Sequence, residues 1–231
     1  MTAERGLPSL EEVQYLSYKG RGMSLKAKLS AALYDLIMRG PEAAGLKEWR
    51  RELLANARGR VLEIGPGTGV NLPLYSEAAG DLVALEPNPA MAERMDPQAY
   101  AGSGALTFVE GYAQDIPFED ESFDTVVATL VLCSVQDPLE TLTELKRVLR
   151  PEGRLLFLEH VAAPEEGLRT WQDRVDPIWN RITGDCHLNR RTAEHLVAAG
   201  FEVEVLDEEP MPRVPALVSP TIRGVARVSD R

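Results

Sequence analysis

Apolar and polar positions along the chain follow two different periods. Short apolar runs, of the length that buried strands require, predict strands at about 60–64, 82–86, 105–109, 123–130, 154–160, 201–207 and 221–228. Apolar residues at helical spacing predict helices near 23–38, 42–57, 70–79, 89–97, 137–149 and 189–199. From residue 60 onward the alternation predicts an α/β fold, a mostly parallel sheet with helices on both faces.

The two ends of the chain depart from this alternation. The proline-rich connector 210–215 and Pro220 leave no room for a crossover helix between the last two strands, so we expect an antiparallel pair there. Residues 1–57 contain a polar arm and two helices, which predicts an N-terminal helical cap. Residues 58–231 then form the ligand-binding domain, and the whole chain is expected to be one compact unit.

The end of the first predicted strand carries the most informative motif. Glu63 lies inside the strand, and Gly65, Gly67 and Gly69 follow it, so the motif is E-x-G-x-G-x-G. Glycines between a strand and a helix bring backbone N–H groups close to a ligand, although an ordinary tight turn is the alternative. The dinucleotide fingerprint would need a glycine at Val70, and the phosphate-binding P-loop would need a lysine after the glycines.

A second carboxylate, Glu86, ends the next predicted strand, one helix and one strand after the glycines. In doubly wound sheets an acid at this position accepts hydrogen bonds from the ribose hydroxyls of an adenosine ligand. A solvated loop acid is the alternative for Glu86 taken alone. The glycine motif upstream favours the ribose contact.

Glycine motif and acid together resemble motif I of the class I S-adenosylmethionine (SAM) dependent methyltransferases. The resemblance implies a Rossmann-like, seven-stranded, mostly parallel sheet with an antiparallel last strand. It also implies SAM as cofactor and S-adenosylhomocysteine as product. On this resemblance we expect the cofactor to contact Glu63, Gly65, Pro66, Gly67, Thr68, Gly69, Glu86, Pro87, Tyr112, Ala113, Gln114, Thr129 and Leu130.

The segment after the third strand, residues 111–118, is similar to the G-D-A-x-x-L-P-F stretch that recognises adenine in this superfamily. Tyr112 occupies the acidic position of that stretch, which favours backbone contacts at Ala113 or Gln114. Asp115 is either a substitute acid or a surface turn residue, and the sequence leaves both open.

The segment before the sixth strand narrows the resemblance. Trp171, Gln172, Asp176, Pro177 and Trp179 approximate W-x-Q-x-x-x-D-P-x-W, and a G-D-C-H-L-N-R turn follows at 184–190. With T-L-V-L-C-S-V at 129–135 and E-H-V at 159–161, these stretches resemble the methyltransferase-like seven subgroup, the alkyl thiol methyltransferases of mammals, and its bacterial relatives. On this resemblance we expect an acceptor pocket formed by Val131, Cys133, Trp171, Trp179 and Cys186. The favoured alternative for Cys133 is a small apolar core residue, and one of the two tryptophans is expected to be plain core.

Three side chains are candidates for handling the acceptor. His160 ends the fifth predicted strand, where it is either a general base or acceptor-orienting group, or a histidine bonded to backbone. His187, helped by Asp185, is a second candidate for taking the proton or holding the acceptor. A thiol needs little base catalysis, because its ordinary pKa near 8.5 leaves a useful thiolate fraction.

Composition sets limits on partners and compartment. The net charge of −11 disfavours nucleic acid, whose binding needs clustered lysine and arginine. We expect no membrane-spanning segment, no signal peptide and no hydrophobic N-terminal anchor like that of the mammalian relatives. Cys133 and Cys186 are too few for a disulfide framework or a zinc site, so we expect no metal and a cytoplasmic location.

The sequence therefore predicts a SAM-dependent methyltransferase that acts on a small acceptor, with a thiol as the favoured class. Quinone-precursor carbons, phenols and lipid amines are the alternatives within the enzyme class. A SAM-binding regulator without turnover is the alternative outside it, and a nicotinamide oxidoreductase is disfavoured by Val70. Monomer and homodimer both stay open.

Overall fold

The computed structural model describes residues 25–183 and 186–229, with the side chains of residues 25–27 and 30 left aside. These residues form one sheet with the strands β1 Gly59–Ile64, β2 Ala79–Leu85, β3 Leu106–Val109, β4 Phe123–Thr129, β5 Leu149–His160, β6 Phe201–Pro210 and β7 Pro220–Val228. The predicted strands are therefore all present, and β5 begins earlier than expected.

The order across the sheet is β3-β2-β1-β4-β5-β7-β6. The pairs from β3 to β5 are parallel, and β7 is antiparallel to both β5 and β6. This confirms the predicted Rossmann-like sheet with an antiparallel last strand. The order reverses direction between β1 and β4, so their carboxyl ends frame the crevice in which such sheets bind ligands.

Helices connect the strands: α1 Leu25–Pro41, α2 Lys47–Leu54, α3 Pro89–Ala92, α4 Pro138–Val148, α5 Glu166–Thr183 and α6 Thr192–Ala198. A π-helical turn, Glu42–Leu46, joins α1 to α2. The prediction of a helix at 70–79 was wrong, since only a 3-10 turn, Leu72–Leu74, forms there. Pro73 lies in the first turn, where its missing N–H is tolerated, and the backbone becomes extended at Tyr75, which ends the turn. The predicted helix 89–97 is likewise reduced to α3, and Pro97 starts a separate 3-10 turn.

Buried residues of successive strand positions point to opposite faces of the sheet. Leu62, Val126 and Leu155 belong to one apolar cluster, whereas Val61 and Val127 belong to the other. The first cluster also contains apolar residues of α4 and α6, and the second contains those of α2. The core is thus continuous on both faces of the sheet, as the period of two requires.

None of the helices in the described part of the chain combines the length and apolar character needed to cross a membrane. The residues expected to form the polar arm, 1–17, lie outside the described part, as does the start of the predicted helix 23–38. The division of the chain at residue 57 into a cap and a SAM-binding domain stays a prediction.

Candidate functional site

The glycine loop after β1 adopts the conformation that its sequence predicts. Gly65, Gly67 and Gly69 have φ values of 55°, 61° and 84°, a region that favours glycine. A Cβ atom on Gly65 would collide with Val131, whereas one on Gly67 would meet nothing within 4 Å. The loop is therefore packed against the segment after β4 at Gly65 and open at Gly67.

Glu86 follows β2 and holds the glycine loop. Its carboxylate accepts hydrogen bonds from the backbone N–H of Gly67 at 3.0 Å and of Asn88 at 2.8 Å. The side chain is only 5% exposed, and burial raises the pKa of Glu86 against the opposing effect of these two N–H donors. A carboxylate has about four acceptor positions, so contacts to backbone are compatible with further contacts to hydroxyl groups.

Beneath the loop lies a buried polar network that the sequence analysis did not anticipate. Glu63 accepts hydrogen bonds from Asn71 at 2.8 Å and from the Tyr75 hydroxyl at 2.8 Å. Thr129 accepts hydrogen bonds from Arg50 and Asn71, each at 2.9 Å. Burial raises the pKa of Glu63, and the hydrogen bonds from Tyr75 and Asn71 oppose it.

This network changes the roles expected for two residues. The carboxylate of Glu63 and the hydroxyl of Thr129 were predicted at the cofactor, but both are turned into the network under the loop. Arg50 extends the network to the helical cap, since it also donates to Glu42 at 2.9 Å. These residues position the loop from below.

The segment after β4 is held by a second buried carboxylate. Glu159, which is 0% exposed, accepts hydrogen bonds from the backbone N–H groups of Val131 and Leu132 at 2.9 Å and of Cys133 at 3.3 Å. Leu130 reaches this turn with a positive φ of 59°. Burial raises the pKa of Glu159, and the three N–H groups oppose that shift. An acid between Leu158 and His160 at the end of a buried strand was the sequence signal for this role.

Three predicted acceptor-site residues meet at the carboxyl ends of β4 and β5. One ligand atom each of Cys133, His160 and Cys186 lies within 4.8 Å of the other two. Nε2 of His160 contacts Sγ of Cys186 at 3.0 Å, and the indole N–H of Trp179 donates to the same sulfur at 3.4 Å. The hydrogen bond to Cys133 and burial raise the pKa of the Cys186 thiol.

His160 is buried, and this cluster defines its surroundings. Burial disfavours the imidazolium form, but Cys186 and the carboxylates of Glu159 and Asp176 outweigh it and raise the pKa of His160. Its Nδ1 atom has no hydrogen-bond partner among the described residues. The alternative of a histidine bonded to backbone is therefore not what the structure has.

His187 is positioned by a carboxylate that the sequence analysis did not choose. Its Nδ1 lies 2.9 Å from Oδ2 of Asp176, whose Oδ1 accepts the Leu188 N–H at 2.6 Å. Its Nε2 lies 3.1 Å from Nδ2 of Asn180, an amide donor, so the neutral ring carries its proton on Nδ1 and donates it to Asp176. The expected partner, Asp185, lies outside the described residues.

Helix α5 presents its predicted tryptophans differently from expectation. Trp171 is 57% exposed and lies under the guanidinium of Arg174, 5.5 Å from the ring centre, and its place in the acceptor pocket stays a prediction. The inward stripe is Gln172, Asp176 and Trp179, which follow the i, i+4, i+7 spacing of one helix face. Gln172 uses its amide to bind the backbone of Ala163 at 2.7 Å and of Leu217 at 2.9 Å.

The adenine segment is only partly as expected. Tyr112 is exposed, Ala113 is buried, and Gln114 and Pro87 are half-buried. Arg147 of α4 donates to the backbone carbonyl of Ile116 at 2.9 Å, and Glu144 accepts the Ile116 N–H at 3.2 Å. The segment is thus fastened to α4 rather than held by an acid of its own.

A cavity of about 570 Å³ separates α1 from the glycine loop, and its lining includes Tyr34, Asp35, Met38, Arg50, Thr68 and Val70. This volume is in the range of small-molecule sites. Asp35 accepts a hydrogen bond from Thr68 at 2.7 Å and pairs with Arg94 at 2.7 Å, which fastens α1 to the loop. A cavity of about 600 Å³ lies elsewhere, around Ala163, Arg190 and Pro220, and contains none of the predicted cofactor residues.

Tyr34 is a site residue that the sequence analysis missed. Burial raises the pKa of Tyr34 to about 12, with Arg50 opposing and Cys133 and Cys186 reinforcing the shift. The phenol therefore lies within electrostatic reach of both the polar network and the cysteines. Its only sequence signal was its position among the apolar residues of α1, which is ordinary for a core tyrosine.

Comparison with known proteins agrees with this geometry. Residues 62–157 match the family model described as a methyltransferase domain. The human thiol S-methyltransferase TMT1B is 39% identical over 180 residues, which cover 75% of this chain and 73% of that protein. The phosphatidylethanolamine N-methyltransferase of Cereibacter sphaeroides is 31% identical over 160 residues, which cover 68% of this chain and 76% of that protein.

A solved structure supports the fold. The SAM-dependent methyltransferase of Thermotoga maritima, titled a possible histamine N-methyltransferase, has a TM-score of 0.63 at 22% identity and covers 88% of this chain and 98% of its own. Fold and site together define a class I SAM-dependent methyltransferase, and the chain belongs to that family. Within it, the chain groups with the thiol S-methyltransferases at the identity given above.

Proposed function

We propose that this protein transfers the methyl group of SAM to the sulfur of a small thiol, in the cytoplasm. The observation that carries the cofactor assignment is the hydrogen bond between Gly67 and Glu86, which joins an open glycine loop to an acid at the next strand end. The thiol assignment is supported by the similarity to TMT1B. It is also supported by the sulfur and imidazole groups at the ends of β4 and β5.

The residues present fit the cofactor. Gly65 to Gly69 and Leu130 would surround its methionine part, and the backbone of Ala113 and Gln114 would meet adenine. Glu86 would accept hydrogen bonds from the ribose hydroxyls, because its carboxylate faces the loop and its two backbone contacts leave acceptor positions for further donors. When bound, SAM supplies an electrophilic methyl group on a positively charged sulfur.

The protein's own contribution is alignment and removal of water. An in-line displacement gains most of its rate from holding the two sulfur atoms in line and from a dry surrounding. Val131, Cys133, Trp179 and Cys186 would form the acceptor wall, with His160 orienting the thiol. His187, whose Nδ1–H is fixed by Asp176, would accept the thiol proton at Nε2 in place of the hydrogen bond from Asn180.

The cofactor assignment is tested by calorimetry with SAM, S-adenosylhomocysteine and NAD on wild type and on Glu86→Gln. We expect SAM and S-adenosylhomocysteine to bind and NAD not to bind. The substitution should weaken SAM by roughly tenfold or more, because a hydrogen bond to a charged acceptor contributes about 1.5–3 kcal/mol. Glu77→Gln is the matched control, since Glu77 is exposed and precedes β2, at the opposite end of that strand from Glu86. Equal SAM affinity in both variants would contradict the ribose contact.

The reaction is tested with labelled SAM and a thiol, a phenol and an amine at equal concentration. We expect the thiol to be methylated fastest. The similarity to the phosphatidylethanolamine N-methyltransferase supports an amine acceptor as the second candidate, and faster methylation of the amine would favour it. Tight SAM binding without any product would favour the non-catalytic regulator.

A further inference from the structure

The chain's two cysteines and one of its histidines come together from three separate segments. Cys133 follows β4, His160 ends β5, and Cys186 follows α5. The sequence analysis expected no metal site because it counted only the two cysteines, and His160 lies on a different strand end, far from either of them in the chain. The fold brings them to one place because the carboxyl ends of β4 and β5 are neighbours in the sheet.

Their spacing suits a single tetrahedral ion. All three ligand atoms lie within 4.8 Å of one another. Zinc bonds of about 2.3 Å to sulfur and 2.0–2.1 Å to nitrogen place such ligands roughly 3.5–3.8 Å apart. The observed contact of 3.0 Å between His160 Nε2 and Cys186 Sγ is close to this range, and a small rotation of either side chain would open it.

The donor set selects the kind of ion and the kind of site. Two thiolates and one imidazole suit zinc. Magnesium and calcium prefer oxygen ligands and do not match this donor set. Three protein ligands with a fourth position left open are typical of catalytic zinc, whereas structural zinc has four protein ligands. Cys186 is only partly buried, so that position can be reached from outside.

The surroundings hold two of these ligands in place. The backbone of Cys133 is fixed on both sides, since Glu159 accepts its N–H at 3.3 Å and its carbonyl accepts the His187 N–H at 2.9 Å. The indole N–H of Trp179 donates to Cys186 Sγ, which would stabilise negative charge on that sulfur. Ligands held by such outer contacts need little rearrangement when an ion binds.

The surroundings of His160 support a metal site independently of the spacing. Its ring is 6% exposed, Nδ1 has no partner among the described residues, and Nε2 contacts only a weakly polar sulfur. A buried imidazole with so little hydrogen bonding is costly unless one contact is strong. A metal–nitrogen bond would be such a contact.

We propose that Cys133, His160 and Cys186 bind one zinc ion, whose fourth coordination position takes the sulfur of the acceptor thiol. The second half of this proposal rests on the proposed function. On binding zinc the thiol would pass its proton to Nε2 of His187, the proton acceptor of the proposed function, and its sulfur would form a bond to the methyl carbon. The carbon–sulfonium bond would break with its electron pair returning to the cofactor sulfur. Zinc keeps its charge, and the neutral thioether is a poor ligand that leaves.

The test uses cobalt(II) as a visible substitute for zinc in the full-length protein. Protein stripped with a chelator under reducing conditions is titrated with cobalt(II). We expect one ion per chain, thiolate-to-cobalt absorption in the near ultraviolet, intense tetrahedral bands in the visible, and loss of both on adding zinc. Adding 2-mercaptoethanol without SAM should strengthen the thiolate absorption.

Single substitutions distinguish loss of a metal ligand from a general loss of folding. Cys133→Ser, Cys186→Ser and His160→Asn should each weaken cobalt binding by roughly 100-fold or more, and the matched control His195→Asn on α6 should not. Circular dichroism and SAM calorimetry on each variant report whether the fold persists. For a variant that does not fold, the cobalt spectrum of the wild type alone decides the matter.

The outcomes for metal and for methyl transfer are distinguishable. Absence of the cobalt bands in a protein that binds SAM and methylates thiols overturns the zinc site and leaves the proposed function standing. Formation of a Cys133–Cys186 disulfide under reducing conditions overturns it as well. If the cobalt bands do not change when thiol is added, the proposed bond between the metal and the acceptor sulfur is wrong. Bands that respond to thiol in a protein without methyl transfer support the zinc site and overturn the proposed function.

Discussion

The cofactor side and the acceptor side of the crevice are built in different ways. The cofactor side uses contiguous motifs, a glycine loop after β1 and an acid after β2, joined by one backbone hydrogen bond between Gly67 and Glu86. The acceptor side is assembled from the ends of β4, β5 and α5, whose side chains meet only in the folded chain. A substitution on the first side should act on SAM binding, and one on the second should act on the fold or on turnover.

The largest effect is expected from Glu159 on the acceptor side. Glu159→Ala removes the acceptor of three backbone N–H groups and leaves them buried without partners. Because each such loss costs about 1–3 kcal/mol, the free energy of unfolding should fall by at least about 3 kcal/mol in urea titrations. Glu159→Gln keeps one carbonyl oxygen and should lose less. Equal stability of the two variants would contradict this account.

A second comparison uses two glycines of the same loop. Gly65→Ala and Gly67→Ala share the cost of a positive φ, about 1–2 kcal/mol. Only Gly65→Ala also collides with Val131, so it should lose about 1–3 kcal/mol more. Thermal unfolding measures this difference, and calorimetry should show that Gly67→Ala weakens SAM binding although it loses only the smaller, positive-φ part of the stability. The reverse order of stability would show that the two sides are not packed together at Gly65.

A substitution on the acceptor side should lower turnover without changing the affinity for SAM. Asp176→Asn would present an amide donor to His187 Nδ1 and force its proton to Nε2, which faces another donor, Asn180. We expect kcat to fall by roughly tenfold or more while the Kd of SAM is unchanged. Asp173→Asn is a matched control on the same helix, because Asp173 is exposed and accepts a hydrogen bond from Asn189 at 2.9 Å. A matching loss of SAM affinity in Asp176→Asn would mean that the two sides act as one unit.

The same contrast explains what could be predicted from the sequence. The sheet, its antiparallel strand and the roles of Gly65 to Gly69 follow from periods and motifs that are local in the chain. The contact between His187 and Asp176 was not predictable, because the two residues are 11 positions apart in the chain and only the fold brings them together. Trp171 shows a limit of the same kind. Trp171 and Trp179 are eight residues apart on α5, and Trp171 is the more exposed of the two. Gln172 and Trp179 are seven residues apart and lie on the same inward stripe.

The roles of the two buried carboxylates also could not be predicted from the sequence. Glu63 and Glu159 both sit in apolar strand ends, where a sequence pattern indicates a ligand contact as readily as a structural one. Their partners are the Asn71 and Tyr75 side chains and the backbone after β4, and only the turn geometry reveals these partners. The 3-10 turn at Leu72–Leu74 is part of the same correction, since it places Asn71 and Tyr75 over Glu63.

The smallest expected effect concerns an ion pair on α4 that fastens the adenine segment of the cofactor side. Glu144 and Arg147 of α4 contact each other at 2.8 Å and both bind the backbone of Ile116 in the adenine segment. The hydrogen bond from Arg147 lowers the pKa of Glu144. An acid whose pKa is depressed in the folded state stabilises the fold above its ordinary pKa, and this contribution is lost as pH falls through the folded value. Because the pair is partly exposed, Glu144→Gln should cost no more than about 1 kcal/mol near neutral pH.

The pH dependence of that difference makes the prediction sharp. Urea titrations of wild type and Glu144→Gln should differ near pH 7, begin to converge as pH falls below the ordinary pKa of glutamate, and meet only below the depressed pKa of folded Glu144, where the wild-type side chain is protonated too. Glu140→Gln on the exposed face of α4 is the matched control. SAM affinity should fall only slightly, since Ile116 fixes the adenine segment but is not itself expected to touch the cofactor. A difference that persists unchanged at low pH would show that Glu144 acts by packing and hydrogen bonding as a neutral group, and not through its charge.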